Sequence, residues 1–569
     1  NLLAINDVPL YNVSHLLGFF SIFNTPHFAT MQFTHSPSDA VAGNRLGGFV
    51  NMTTADTLRH RMSGDLSIGP ISSQGTLRLP VGKHSLLTLS ARQAYLNLLY
   101  GQWLKIDDEQ MRYSFGDYNL TWLYQPNVKH VLSFDFYHGG DRVQYGNGLS
   151  DMDMHMKWNN TMAAIHDICK TDHGYIRQTL YYTHYSNYFH LSQSALTLEL
   201  PSGITDLGYR CDFLHDSVKT GAEVISHSLQ PQAPRISGLF ENHQPQQRQH
   251  SVEASIYADY TLSLSPFVGS FGLRTIYYHH DGFRRIAVNP VLSVKWDVNS
   301  QGALSLHSSL KHQFLHRTGF SDAGLPTEFW FSSDSNCPAQ YAWNTSLGYD
   351  TWLSNRMIRI SIEAYYKLLY HQLEYNGNIF DMLYEAYNLH DVLLHGHGHN
   401  YGICLLIEKR KGRLTGWISY AYGRAKRHFH DSQYSGWYSA SHERIHELNA
   451  VATCRLSKRW SVGGTFVAAS GTPFTAPRNF YLLNKNLLTV FGEHNAQRLR
   501  PYVRLDLSAN YDFRSRKGRR SGLTLSLYNV TMHGNDIYYR MKVYKDGFAG
   551  KPLRFALSIM PSVNYYYHF

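Results

Sequence analysis

Alternation of apolar and polar residues recurs along most of the chain. From Phe555 to Phe569 every second residue is apolar or aromatic, and the residues between them are mostly small or polar. Because successive side chains of an extended chain point to opposite faces, this pattern predicts strands with one apolar face. The same period of two appears in further runs at 132–136, 292–298, 358–370, 505–513 and 523–527.

The length of these runs favours a membrane barrel over a soluble sandwich, although both architectures give strands with one apolar face. Several runs exceed the five or six residues typical of soluble strands and approach the roughly 9–11 residues that cross a bilayer at a tilt. Aromatic residues gather at run ends, notably 365–370 and 565–567, where an interfacial girdle would place them. We therefore expect the apolar face to contact lipid and the polar face to line a lumen.

The connections between runs are of two kinds. Tight turns are predicted at 79–83 and 124–127, and long polar segments at 221–250 and 474–495. Short turns at one end and long loops at the other are typical of outer-membrane barrels. No run of about 18 apolar residues is present, which excludes an ordinary transmembrane helix. A mean hydropathy of −0.34 is compatible with a barrel, because only alternate residues face lipid.

Charge and cysteine content bear on whether the chain binds nucleic acid, binds a metal through cysteine or catalyses a reaction. The net charge is +10, but Lys and Arg are scattered, and the clusters at 409–413 and 514–520 fall at predicted turns. We expect solvated turns or a lipid-headgroup rim there, and no nucleic-acid partner. The five cysteines show no metal-ligand spacing, and a pairing of Cys169 with Cys211 is left open. No motif supports a catalytic triad, so we expect neither enzyme activity nor a cofactor.

The first 56 residues differ in pattern and carry a family resemblance. Their apolar runs are short and interrupted by glycine, as in part of a small α+β unit. The stretches INDVPLYN (5–12), HLLG (15–18), FSIFN (20–24) and GNRLGGFVNMT (43–53) resemble the C-terminal half of the plug domain of TonB-dependent outer-membrane receptors, especially the Bacteroidetes branch. Segments that resemble the barrel of this family follow in order at 89–95, 401–420, 469–475, 498–506 and 528–530.

The resemblance implies an all-β transmembrane barrel of 22 antiparallel strands at 57–569, with a partial α+β plug at 1–56, in the bacterial outer membrane. It implies TonB-dependent, energised uptake of a scarce ligand: a siderophore, haem, cobalamin, glycan or peptide. The N-terminal half of the plug and the TonB box are expected outside these residues, so that TonB acts through a missing N-terminal segment. A surface lipoprotein partner is left open. The terminal Phe569 resembles the signal that the barrel-assembly machinery recognises.

Two groups of candidate residues follow from the plug resemblance. Tyr11, Asn12 and His15 fall in a plug loop that could contact ligand, and plain packing is the alternative. A second group is expected to serve the plug structure, because glycine permits tight turns and close approach to a wall and because buried charges need partners. It consists of Gly43, Gly47 and Gly48, with Arg45 expected to pair with the barrel.

Histidine is abundant, at 33 residues, and the stretch HGHGH puts His395, His397 and His399 on one strand face about 7 Å apart. Imidazoles suit haem iron, zinc or copper, which makes these residues a candidate cargo site. The alternative is a plain loop in a histidine-rich chain. A passive channel, a barrel-type membrane enzyme and a soluble adhesin are the alternative functions. The plug-like segment argues against a passive channel.

Overall fold

The computed structural model describes most of residues 2–569. The residues outside this description are 12–13, 16–19, 36–38, 42, 103, 107–108, 147–151, 194–195, 232–233, 239–241, 244–247, 320–327, 377–388, 431–435, 484–485, 516–517, 545–546 and 555–558. No helix of the described part is long and apolar enough to cross a membrane. A short α-helix covers Leu96–Tyr100, and a 3₁₀ turn covers Leu389–Val392.

The N-terminal segment folds into a small mixed sheet, the plug. Its strands are β1 (Leu2–Ile5), β2 (Val8–Leu10), β3 (Ser14–His15), β4 (Phe20–Ser21), β5 (Thr30–Thr34) and β6 (Phe49–Thr53). The sheet order is β2–β1–β6–β5, with β1 and β6 parallel. A 3₁₀ turn at Thr25–His27 is the helical element of the described plug residues.

The barrel wall confirms the predicted class, a closed sheet of 22 antiparallel strands. They are β7 (Ser63–Ile68), β8 (Ser72–Val81), β9 (Ser85–Ala94), β10 (Glu109–Tyr124), β11 (His130–Tyr145), β12 (Met152–Thr171), β13 (Gly174–Gln193), β14 (Leu196–Leu214), β15 (Val218–Gln230), β16 (Gln249–Leu264), β17 (Phe267–His280), β18 (Phe283–Asp297), β19 (Gly302–Gln313), β20 (Gln340–Leu353), β21 (Ile358–Tyr375), β22 (Leu393–Lys409), β23 (Leu414–Phe429), β24 (His446–Arg455), β25 (Trp460–Ala469), β26 (Tyr502–Asp512), β27 (Arg520–Tyr528) and β28 (Met560–His568).

The barrel closes where its last strand meets its first. In β28, Tyr567 lies opposite Leu66 of β7. Beyond the strand, the backbone of Phe569 exchanges two hydrogen bonds with Gly64, at 2.9 and 3.1 Å. The terminal residue is therefore part of the closing pair of strands, and its ring stacks on Tyr567.

The two faces of the wall follow the predicted alternation. In β28, Val563 and Tyr565 are exposed on the outside, whereas Met560 and Ser562 are buried. Large apolar side chains are exposed in the same way around the wall, including Ile165, Leu207, Ile256, Ile286, Leu347, Ile403, Ile418 and Leu525. Such a continuous apolar outer surface suits lipid and not water.

The two ends of the barrel differ in their connections. One end, the short-turn end, has tight connections such as 82–84, 125–129 and 172–173. The other, the long-loop end, has connections as long as 470–501 and 529–559. The predicted loop at 221–250 is wrong in its first part, because β15 continues to Gln230 in register with both neighbours.

Further short strands lie in the connections at the long-loop end of the barrel. They cover Lys105–Ile106, Arg235–Gly238, Asn242–His243, Leu315–Thr318, Phe329–Ser332, Tyr438–Ser439, Pro473–Phe474, Pro477–Leu483, Asn486–Phe491, Gln497–Arg498, Asp536–Tyr544 and Gly547–Arg554.

The plug lies inside the barrel and shares a core with its wall. Ile5, Val8 and Ile22 of the plug form one apolar cluster with Tyr137 and Met162, which belong to β11 and β12. Their burial supplies non-directional adhesion between plug and wall. The orientation of the plug inside the barrel must therefore be set by the polar contacts that surround this cluster.

Candidate functional site at the plug–barrel seam

The seam is defined here as the set of polar contacts between residues 2–53 and the wall strands β8 to β21. Inward-facing side chains of these strands are unusually polar for buried positions, because a barrel lumen takes every second residue of each strand. Once the plug fills that lumen, each buried polar group needs a partner. Three clusters of such partners show how the wall holds the plug.

The first cluster surrounds His15, which is buried. Its Nε2 lies 2.9 Å from Asp117 Oδ1 and its Nδ1 lies 2.6 Å from Asp141 Oδ2. Arg92 Nε donates to the other oxygen of Asp117 at 2.8 Å, and the ring of His15 stacks on Phe115 with 4.3 Å between centroids. With both ring nitrogens facing carboxylates, the protonated imidazole fits this site.

The electrostatics of His15 agree with that geometry. Burial of the imidazole lowers the pKa of His15, but hydrogen bonds and charge from Asp117 and Asp141 outweigh burial, so the pKa is raised above its ordinary value. A charged His15 and Arg92 together balance the two carboxylates. The wall thus binds β3 through a buried cluster of two positive and two negative side chains, whose net charge is zero.

The second cluster holds His27 as a neutral ring. Its Nδ1 lies 2.8 Å from Ser90 Oγ and its Nε2 lies 2.9 Å from Thr121 Oγ1. The Thr121 hydroxyl donates to Asp135, so it accepts from His27 Nε2–H, and Nδ1 accepts from Ser90. Burial, aided by the nearby charge of Arg78, lowers the pKa of His27 to about 4. The two plug histidines are thus held in opposite charge states.

The third cluster joins the loop between β5 and β6 to the wall. Arg274 of β17 donates from Nη1 to the carbonyl oxygen of Val41 at 3.3 Å and forms an ion pair with Glu223 of β15. The backbone N–H of Ala40 donates to Asp259 Oδ1 at 2.8 Å. Charged side chains of the wall therefore bind backbone groups of Ala40 and Val41 in this plug loop.

A cavity of about 380 Å³ lies between the plug and the wall beside these clusters. Its lining is charged on both sides and includes Asp7, Arg45, Arg177, Asp206, Arg210 and Glu223. Arg177 bridges the two sides, with Nη1 at 2.8 Å from Asp7 of the plug and Nη2 at 3.0 Å from Asp212 of the wall. The seam is thus strongly paired but not closely packed, which leaves room for the plug to shift.

The predicted ligand residues do not form an open surface. Tyr11 is buried against Trp330, donates its hydroxyl to Asp206, and lines the cavity. His15 is buried in the first cluster. Asn12 lies outside the described residues. Both described side chains face the wall, so in this structure they serve attachment of the plug.

The predicted plug-structure residues divide into two sets. A Cβ on Gly43 would lie 2.5 Å from Arg274 Cζ, so this glycine does approach the wall. Gly48 instead approaches the Thr34 carbonyl oxygen of the plug sheet, where a Cβ would lie 3.1 Å away. The three atoms nearest to such a Cβ all belong to Thr34 and His35 of the plug. Gly47 is half-buried in the turn before β6.

Arg45 makes different contacts from the predicted ion pair with the barrel. Its Nη1 donates to the Asn44 carbonyl oxygen at 2.9 Å. Its guanidinium lies over the rings of Tyr11 and Trp330, at 5.9 and 5.5 Å from their centroids. The contacts described for Arg45 are therefore cation–π contacts and a bond within its own segment.

The histidines of HGHGH do not converge on one point. Lys367 of β21 points inward, because its Nζ donates to the Leu46 carbonyl oxygen of the plug. Asn400 of β22 lies opposite Lys367 and therefore also points inward. The three histidines occupy the alternate positions of β22, which point outward. His399 contacts Trp437 and Tyr401 on the outer surface. The three histidines share one strand face, but alternate residues of one strand stand apart, and here that face points away from the lumen.

Sequence reasoning missed the wall carboxylates of the seam, Asp117, Asp141, Asp206 and Asp259. Their signal was present but weak, because each is one charged residue in the polar register of an alternating strand. The same register places charged residues in any water-filled lumen. These four carboxylates differ from other charged residues of a lumen only in their contacts with the plug, which the sequence does not show.

Comparison with known proteins supports the assignment of the fold. The sequence profile of the family described as "TonB dependent receptor-like, beta-barrel" matches residues 54–531. Comparison with curated protein sequences gave no significant match.

Three solved structures illustrate the similarity, and the chain is covered over 100% of its length in each. The FrpB iron transporter of Neisseria meningitidis has 12% identity, a TM-score of 0.68 and 91% coverage of its own chain. The ferric-catecholate import receptor Fiu of E. coli K12 has 12% identity, a TM-score of 0.67 and 89% coverage. The outer-membrane transporter YddB of Escherichia coli has 9% identity, a TM-score of 0.69 and 90% coverage.

Proposed function

The chain belongs to the TonB-dependent receptor family of outer-membrane β-barrels, and from this premise we propose that it imports a scarce ligand by energised displacement of its plug. Members of this family reside in the outer membrane of Gram-negative bacteria and act as transporters and receptors, not as enzymes. The short-turn end of the barrel then faces the periplasm, and the long-loop end faces the outside. In this proposal TonB supplies the energy that displaces the plug.

The observation that carries the proposal is the seam. The plug is held by buried charged contacts to one arc of the wall, such as His15 with Asp117 and Asp141, beside a polar cavity. A passive pore has no use for a lumen segment held in this way. A gated importer needs a plug that stays closed at rest and yields to a pull from the periplasm.

The cargo of first choice is a ferric chelate. This choice rests on the neighbours, which are described as an iron transporter and a ferric-catecholate import receptor. Haem, cobalamin, a glycan or a peptide remain the alternatives. A surface lipoprotein over the long loops, assembly through Phe569 and membership of the Bacteroidetes branch belong to the same proposal. So does the division into a plug part at 1–56 and a barrel at 57–569.

Planar-bilayer conductance tests the gating. We expect a variant lacking residues 2–53 to give larger and steadier currents than the unmodified chain. A matched control is Asp512→Asn, which alters a partly exposed ion pair of β26 with Arg520 and should give the current of the unmodified chain. Equal steady currents with and without residues 2–53 would favour the passive channel.

Uptake separates the cargo classes. Cells that carry the receptor should accumulate a radiolabelled ferric siderophore only when TonB and the proton gradient are intact. Uptake that survives loss of TonB would contradict the energised mechanism. TonB-dependent growth on haem or cobalamin, without ferric siderophore uptake, would replace the cargo and keep the mechanism.

A further inference from the structure

Three histidines meet on the outer surface of the barrel near the long-loop end. They are His397 of β22, His428 of β23 and His430 just beyond β23. One ring nitrogen from each lies within 4.8 Å of the others. Their ring centroids are 5.0, 6.0 and 5.3 Å apart in the three pairs.

Strand register explains why these residues meet. His397 lies directly opposite His428 in the antiparallel pair, and His430 follows two positions later on the same face. Arg427, the residue before His428, points the other way and donates to Asn400 Oδ1 at 2.8 Å. The inward contacts of Arg427 and Asn400 therefore fix the outward direction of the histidines.

One ring nitrogen of the cluster is buried and free to bind a ligand. His428 Nδ1 is buried and has no hydrogen-bond partner within the described part of the chain. Buried ring nitrogens are normally paired, because an unpaired polar atom loses its hydration without compensation. Trp437 covers the cluster, with its ring 5.2 Å from His397 and 5.5 Å from His428. His430 is exposed, which leaves a path for an ion to enter.

The chemistry of the donor set selects the ligand class. Neutral imidazoles suit Zn²⁺, Cu²⁺ and Ni²⁺ and disfavour Mg²⁺ or Ca²⁺, which take oxygen ligands. Tetrahedral binding at about 2.0–2.1 Å would require nitrogens about 3.3 Å apart. Small rotations of the half-exposed His397 and the exposed His430 can close that difference. Three protein nitrogens leave a fourth position open.

We propose that His397, His428 and His430 form a binding site for a divalent transition metal on the outer wall. The bound ion joins β22 to β23 and to His430, the first residue beyond β23. It would therefore fix His430 against the outer end of these two strands. The site is separate from the lumen and from the seam.

Binding of Cu²⁺ and Zn²⁺ to the purified chain in detergent tests the site. Cu²⁺ should quench part of the tryptophan fluorescence, and electron paramagnetic resonance should show about three nitrogen ligands. Trp437→Phe should remove that part of the quenching and keep the affinity for Zn²⁺ in calorimetry. His428→Ala should weaken binding by about tenfold or more, because three ligands become two.

Two further variants keep the test decisive. His430→Ala changes an exposed residue beyond the strand, so it should fold normally and weaken binding as well. His399→Ala is the matched control, because His399 contacts Trp437 at 4.5 Å without belonging to the group of three. Equal affinity of His428→Ala, His430→Ala and the unmodified chain would overturn the proposal. So would an equal loss in His399→Ala, which would indicate nonspecific binding to surface histidines.

Discussion

The lumen has two unlike arcs, and the contrast between them shows where the plug is held. On the seam arc, β8 to β21, carboxylates such as Asp117, Asp141 and Asp206 are buried and bind plug side chains. On the far arc, β22 to β28, charged residues pair within the wall and its loops, as in Arg504 with Asp506 at 3.1 Å. Among the described residues, hydrogen bonds from residues 2–53 to the wall reach only the seam arc.

This difference makes the hold on the plug one-sided. Removing one partner of a buried ion pair costs about 3–5 kcal/mol, whereas an exposed pair contributes about 0–1 kcal/mol. The seam therefore sets the resistance of the plug to a pull, and the far arc adds little. A plug attached along one arc can also be released contact by contact, which requires less force at any moment than release of a whole circumference at once.

The largest effect should come from removing the carboxylates around His15. In Asp117→Asn with Asp141→Asn, His15 and Arg92 lose their charged partners in a buried site. We expect the free energy of local opening of the plug to fall by about 3–5 kcal/mol. Hydrogen exchange of the β1 and β6 amides in detergent measures that free energy.

The far-arc control for this experiment is Asp506→Asn with Asp512→Asn. Both carboxylates form partly exposed pairs, with Arg504 and Arg520. We expect plug exchange to change by less than about 1 kcal/mol. Equal losses in the two double variants would contradict the one-sided attachment.

A side chain at Gly43 should weaken the seam less. In Gly43→Val the new Cβ would overlap the guanidinium of Arg274 and displace it from Glu223 and Val41. Overpacking of this kind costs about 1–3 kcal/mol. The control is Gly269→Ala, on the same strand as Arg274 but with open space at its Cβ. Faster exchange of β6 in Gly43→Val alone would support the contact, and unchanged exchange would contradict it.

The two plug histidines should respond to pH in opposite directions. The pKa of His15 is raised in the folded state, so its stabilisation is complete below the unfolded value near 6.5 and is lost as pH rises through the folded value. The pKa of His27 is lowered to about 4, so its stabilisation is complete above about 6.5 and is lost as pH falls toward 4.

Exchange rates corrected for intrinsic pH dependence test these opposite slopes. His15→Gln should remove the loss of plug protection above about pH 6.5 and leave the loss at low pH. His27→Gln should do the reverse. If both variants removed the same limb of the profile, the assigned charge states would be wrong.

The contrast between arcs was only partly predictable from the sequence. Alternation at 358–370 and 505–513 predicted strands, and the outward apolar register of Val563 and Tyr565 confirmed the lipid face. Which inward charges meet the plug depends on barrel closure and plug orientation, which bring His15 to Asp117 across 102 positions. The same limit applies to the HGHGH stretch, because the period of two predicts a shared face but not whether that face is inner or outer.

The smallest effect is expected at the rim of the seam, where Lys219 Nζ lies 3.4 Å from Asp39 Oδ2. The Lys219 side chain is 45% exposed, so water screens this pair. Lys219→Met should change plug opening by less than about 1 kcal/mol, and the small effect should vanish in high salt. Asp7→Asn offers a matched comparison, because Asp7 pairs with Arg177 at 2.8 Å and is less exposed. A loss in Lys219→Met as large as that in the Asp117 and Asp141 double variant would show that exposed contacts hold the plug as strongly as buried ones, and burial would no longer explain the difference between the arcs.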